Sequence, residues 1–100
     1  MAMHVLLALA DRDRHGLGIA DDVETFTDGR VALGPGTLYG TIKRLLDQRL
    51  IEERPGSPRD DRDDPRRRYY RITTLGRRAL AAETAGLARI LTAARAKRVL

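Results

Sequence analysis

One hundred residues, 42% of them hydrophobic and 33% charged, suffice for one small domain and are too few for a multidomain enzyme. The absence of cysteine excludes disulfide scaffolds and thiolate metal sites together, and no apolar run approaches the roughly 18–20 residues a membrane helix needs. The net charge of +5 is unevenly spread: residues 1–53 carry nine acidic and six basic side chains, net −3, and residues 54–100 carry thirteen basic and five acidic, net +8. The start from Met1 to Ala10 is apolar but lacks a basic flank, so it reads poorly as a signal peptide. A soluble cytoplasmic domain is expected.

In chain order, Met1 to about Asp11 is apolar on nearly every side and predicts a buried helix, followed by a polar connector to Gly16. From Gly18 to about Thr27, Ile19, Val23 and Phe26 recur at helical spacing and predict a second, amphipathic helix. Thr27-Asp28-Gly29-Arg30 has turn composition. Gly34-Pro35-Gly36-Thr37 then starts a third helix, running to about Arg49, with Leu38, Ile42, Leu45 and Leu46 on its core-facing arc. Leu50 to Arg54 and Arg66 to Thr73 predict two strands, Tyr70 and Ile72 facing one way, Tyr69 and Arg71 the other. The Pro-, Gly- and Asp-rich loop between them, about eleven residues, is well beyond the usual hairpin length. Thr74 is the expected N-cap of a last helix about 36 Å long, more than so small a domain needs to cover its own core. The fold class is therefore mainly α (α+β), a winged helix-turn-helix with a two-stranded wing, dividing at residues 1–73 and 74–100.

The third helix carries the chemistry. Opposite its apolar arc stand Gly36, Thr37, Gly40, Lys43, Arg44 and Asp47, with Tyr39 on the flank. Glycine inside a helix costs about 1 kcal/mol relative to alanine, a cost accepted where another backbone, such as a duplex, must come close. Lys43 and Arg44 have the reach for phosphates or guanine edges, and Thr37 and Tyr39 the hydroxyls to donate to phosphates near the helix start. The Arg66-Arg67-Arg68 run, where the second strand begins, suits a wing lying on the phosphate backbone. Against it stands Asp60-Asp61-Arg62-Asp63-Asp64, with a local net charge of −3; this tip either projects away from the duplex or pairs with the neighbouring arginines.

These segments carry a resemblance. His15-Gly16-Leu17-Gly18-Ile19, then Leu33-Gly34-Pro35-Gly36-Thr37-Leu38-Tyr39-Gly40 leading to Lys43-Arg44-Leu45, then Leu50-Ile51, and Arg68-Tyr69-Tyr70-Arg71-Ile72-Thr73 together resemble the PadR family of bacterial transcriptional regulators. The resemblance implies a winged-helix DNA-binding domain with a C-terminal dimerisation helix, acting as a repressor at a palindromic operator. It places the helix of Thr37, Tyr39, Lys43 and Arg44 in the major groove of double-stranded DNA. Two departures stand out: the family often has proline where Gly40 stands, and the chain begins later than many relatives, shortening the first helix.

In the last helix Leu80, Leu87, Ile90, Leu91 and Ala94 fall on one stripe with steps of seven and four, the pattern of a short coiled-coil seam. A homodimer with these residues at its interface is expected, and with it a pseudo-palindromic site. Glu83 lies at the edge of the stripe and needs an arginine partner or water. An enzyme is not expected: His4 and His15 are the only histidines, Ser57 the only serine, and no metal-ligand or phosphate-loop spacing occurs, so no cofactor or metal is assigned. His15 reads as a capping or connector residue. The resemblance allows a small-molecule effector, but with no tryptophan and Phe26 as the single phenylalanine no pocket is assigned. The alternative reading is a winged-helix module that binds protein through its last helix.

Overall fold

The computed structural model describes residues 1–54 and 68–100. In chain order the elements are α1 (Ala2–Ala8), β1 (Arg14–His15), α2 (Gly16–Phe26), α3 (Pro35–Asp47), β2 (Ile51–Glu53), β3 (Tyr69–Ile72) and α4 (Thr74–Ala96). Three helices, a small sheet and a long last helix follow one another as the residue pattern predicts. The acidic tip 60–64, Arg66 and Arg67 lie outside the described residues.

The boundaries are set by specific hydrogen bonds. Helix α2 begins two residues earlier than its apolar periodicity predicts, because His15 Nδ1 accepts from the Gly18 amide at 3.0 Å and caps the first turn. Pro35 occupies the first turn of α3, where its missing N–H is harmless. That helix stops before Arg49, which turns out of it with φ of 60°. The Leu50 amide then donates to the Leu45 carbonyl, and that of Arg49 to Leu46, each at 3.0 Å, so the last carbonyls are satisfied by a left-handed C-terminal turn. The cap of α4 is Thr73, not Thr74: its Oγ1 accepts from the Gly76 amide at 3.0 Å and donates toward the Arg49 carbonyl at 2.8 Å. One hydroxyl thus fixes the start of α4 to the end of α3.

The sheet has three strands, not the two the sequence predicts, in the order β1-β3-β2 and antiparallel throughout. The third is the two-residue β1, with Arg14 opposite Tyr70 and His15 opposite Tyr69. Too short to show any alternation, it exists only because β3 offers it a free edge. On the other side Ile51 pairs with Ile72 and Glu52 with Arg71, the latter pair also joined by a 2.6 Å ion pair.

The core gathers one face of every helix and the inner face of the sheet: Val5, Leu9, Ile19, Val23, Leu38, Leu45, Ile51 and Tyr70 are among its buried side chains. Each such aliphatic side chain contributes about 1.5–3 kcal/mol on burial. Two arginines complete the packing by satisfying the end of α1, Arg14 donating to the Ala8 carbonyl at 2.8 Å and Arg77 to that of Ala10 at 2.9 Å. Helix α4 approaches the sheet so closely at Gly76 that a Cβ there would collide with the Leu50 carbonyl. Beyond Leu80, its last buried residue, the helix leaves the core.

Candidate nucleic-acid interface

Helix α3 is anchored along one face by Leu38, Thr41, Ile42 and Leu45, all buried, which fixes what its other face presents. Gly36, Thr37, Lys43 and Arg44 are exposed there and Gly40 is half-buried. Lys43 Nζ lies 3.5 Å from Asp47 one turn on, an exposed i,i+4 pair that is easily exchanged for another anion. Arg44 leans on the buried Thr41, donating to its hydroxyl at 3.3 Å. At Gly34, Gly36 and Gly40 a Cβ would meet nothing within 4 Å. No internal contact asks for these three glycines.

Tyr39 differs from its neighbours. Its side chain is half-buried and packs against the core, and its ring seats on Gly16, where a Cβ would come within 2.6–2.9 Å of the ring and hydroxyl. Tyr39 therefore sets the spacing of α2 and α3. Sequence reasoning missed Gly16 as its counterpart, although a glycine directly after a polar connector was the available signal.

At the base of the wing, Tyr70 faces the core and Tyr69 the other side, as their alternation predicts. Burial pushes the Tyr70 phenol above its ordinary pKa and the nearby Glu53 carboxylate adds to the rise, opposed by Arg68. The Arg54 guanidinium sits 4.3 Å above the Tyr69 ring, at cation–π distance, and the His15 ring meets it edge-on at 5.3 Å. Arg68 is half-buried at the foot of β3. His4 stacks on Phe26 with ring centroids 6.2 Å apart.

Of the stripe on the last helix, Leu80 is taken up by the domain's own core, because α1 and the sheet reach that far along α4. Leu87, Ile90 and Leu91 are 43%, 64% and 45% exposed, Ala94 is half-buried and Glu83 is exposed. A groove of about 710 Å³ between the end of α1, the sheet and the start of α4 is lined by four arginines and three carboxylates. Several of these pair with one another, Arg71 with Glu52 and Arg12 with Asp11, so the groove is a charged surface and not an aromatic pocket. Among the described residues no cluster suited to a metal ion occurs, and no helix is long and apolar enough to cross a membrane.

The profile of the Transcriptional regulator PadR-like family matches residues 5–82, that is, every helix and strand described above up to the start of α4. The chain belongs to this family of transcriptional regulators. PadR-like proteins are DNA-binding regulators and not enzymes. A protein X of Lysinibacillus sphaericus is 32% identical to the chain over 77 residues, covering 77% of the chain and 68% of that protein. Among solved structures, a transcriptional regulator from Clostridium thermocellum superposes with a TM-score of 0.73 at 22% identity, over 95% of this chain and 89% of that one. A PadR family transcription regulator from Clostridium difficile superposes with a TM-score of 0.70 at 22% identity, over 95% and 96%. This PadR-like chain thus shares the winged-helix fold of those regulators, with β1 as the third strand of its sheet.

Proposed function

We propose that this PadR-like regulator represses transcription by binding a pseudo-palindromic operator as a homodimer. In this reading α3 enters the major groove of double-stranded DNA, and the wing follows the backbone through Arg68 together with Arg66 and Arg67. The observation that carries the reading is the outer face of α3, where Thr37, Lys43 and Arg44 are exposed beside three glycines that no internal packing requires. Small residues let the groove walls approach, and the neighbouring cations Lys43 and Arg44 have the reach to meet phosphate oxygens or guanine edges. The uncovered part of the α4 stripe, Leu87, Ile90, Leu91 and Ala94, supports the homodimer. Twofold pairing there sets two α3 helices one duplex turn apart, about 34–36 Å.

The test begins with duplexes selected from a randomised pool by the purified chain, and then measures anisotropy against the selected and a scrambled duplex at two salt concentrations. Selection of an inverted repeat, with log K falling by about 0.9 per phosphate contact against log salt, supports the reading. Equal, weak binding to both duplexes overturns it in favour of a protein-binding module. Repression is read with a reporter fused to the selected site, whose transcription falls when the chain is supplied.

A further inference from the structure

The small third strand raises a question that DNA contact alone does not answer. The strand β1 is two residues long, well below what pairs stably by itself, and it is held to β3 by rings outside the hydrophobic core. Tyr69 lies directly opposite His15 in the register, with the rings edge to face at 5.3 Å. The Arg54 guanidinium sits over the Tyr69 ring at 4.3 Å, and the Arg54 amide donates to the Tyr69 carbonyl at 2.8 Å. His15 in turn caps α2 through Nδ1, which puts the proton of the neutral ring on Nε2. The next residue, Gly16, is the seat of Tyr39 in the first half of α3. Arg14, the other residue of β1, is engaged elsewhere, with Ala8, Asp11 and Asp22.

We propose that His15 and Tyr69 are positioning residues that tie the base of the wing to the recognition helix, so that discrimination between DNA sequences depends on both. The chain of contacts runs from Arg54 through Tyr69 and His15 to Gly16 and Tyr39, and each step is a direct side-chain or backbone contact. It joins the two elements that must meet one duplex in register, and two residues beyond Tyr39's end of it stands Thr37. A displacement of β3 is therefore carried to the first turn of α2 and from there to α3. This inference rests on the DNA-binding reading above, and its test separates the two.

The measured quantity is the ratio of affinities for the selected and the scrambled duplex. His15→Ala and Tyr69→Leu are expected to lower that ratio about tenfold, comparable to the loss of one base-specific contact. His15→Asn keeps a capping acceptor and Tyr69→Phe keeps the ring, so His15→Asn restores most of the ratio and Tyr69→Phe leaves it unchanged. Thr73→Ala removes the cap of α4, off this chain of contacts, and should lower the melting temperature as His15→Ala does while leaving the ratio intact. A wild-type chain without sequence preference would sink the DNA-binding reading and this inference together. A discriminating wild type whose ratio survives His15→Ala and Tyr69→Leu, or falls equally in Thr73→Ala, overturns the positioning role alone.

Discussion

Between Val5 and Leu80 most of the described hydrophobic side chains gather into one core, including Val5, Ile19, Leu38, Leu45 and Ile51 at no more than 1% exposure. Beyond Leu80 nothing is buried: α4 continues to Ala96 with Leu87, Ile90 and Leu91 open to solvent. Both regions have the same kind of amphipathic stripe, and on α4 it is one stripe, buried as far as Leu80 and bare after it. An apolar stripe records that a surface is to be covered, and only the neighbours decide by what. The body supplies its own cover from α1 and the sheet, whereas among the described residues nothing covers the outer part of α4.

The largest expected effect is in the body. Gly76→Ala drives a methyl into the Leu50 carbonyl and the Ile72 side chain, and chemical denaturation should report a loss of about 3 kcal/mol. An unchanged midpoint would mean that α4 does not press on the sheet as described. Next comes the outer helix. Leu87→Asp combined with Ile90→Asp should raise the dissociation constant of the proposed homodimer at least about 100-fold, read by sedimentation, while body unfolding of the monomer shifts by only about 0.5 kcal/mol. If this pair instead unfolds the body, the two regions are one cooperative unit and the contrast between them fails.

Gly40→Ala sharpens the contrast within α3. Its Cβ meets open space, so alanine should stabilise the helix by about 0.5–1 kcal/mol and at the same time weaken binding to the selected duplex. Stabilisation without weaker binding would detach Gly40 from the interface. At neutral pH the smallest effect is that of Tyr70→Phe, which becomes visible in alkali. A phenol whose pKa is raised on folding favours the neutral form, so its contribution is complete below the ordinary tyrosine value near pH 10 and is lost as pH climbs toward and past the raised one. The substituted body should lose less stability over that alkaline range. The outer part of α4 has no tyrosine, so no such loss is expected of its pairing.

Much of this is legible in the sequence. The apolar spacing of Leu38, Ile42 and Leu45 located α3 and its outward face, and the alternation of Tyr69 to Ile72 placed Tyr70 inside. Periodicity failed where it has too few residues to act on or where one side chain does two jobs. Two residues cannot alternate, so β1 was invisible. Tyr39 reads as polar at one end and aromatic at the other, and only the Gly16 seat shows that its ring is committed inward. Leu80 and Leu87 are indistinguishable as a heptad step, yet Leu80 is buried in the core and Leu87 is open to solvent.

The sequence by itself determined the local quantities: which faces are apolar, where a proline or capping side chain starts a helix, and where the positive charge collects. Those depend on neighbours within a few residues, through the 3.6- and 2-residue periods of the backbone. Tertiary structure alone decided which surfaces meet. It set the His15 ring against Tyr69, gave Arg14 and Arg77 the end of α1 to satisfy, and divided one stripe between the core and the open length of α4. The physical reason is that burial is a property of pairs of surfaces far apart in the chain, and no single residue encodes its partner.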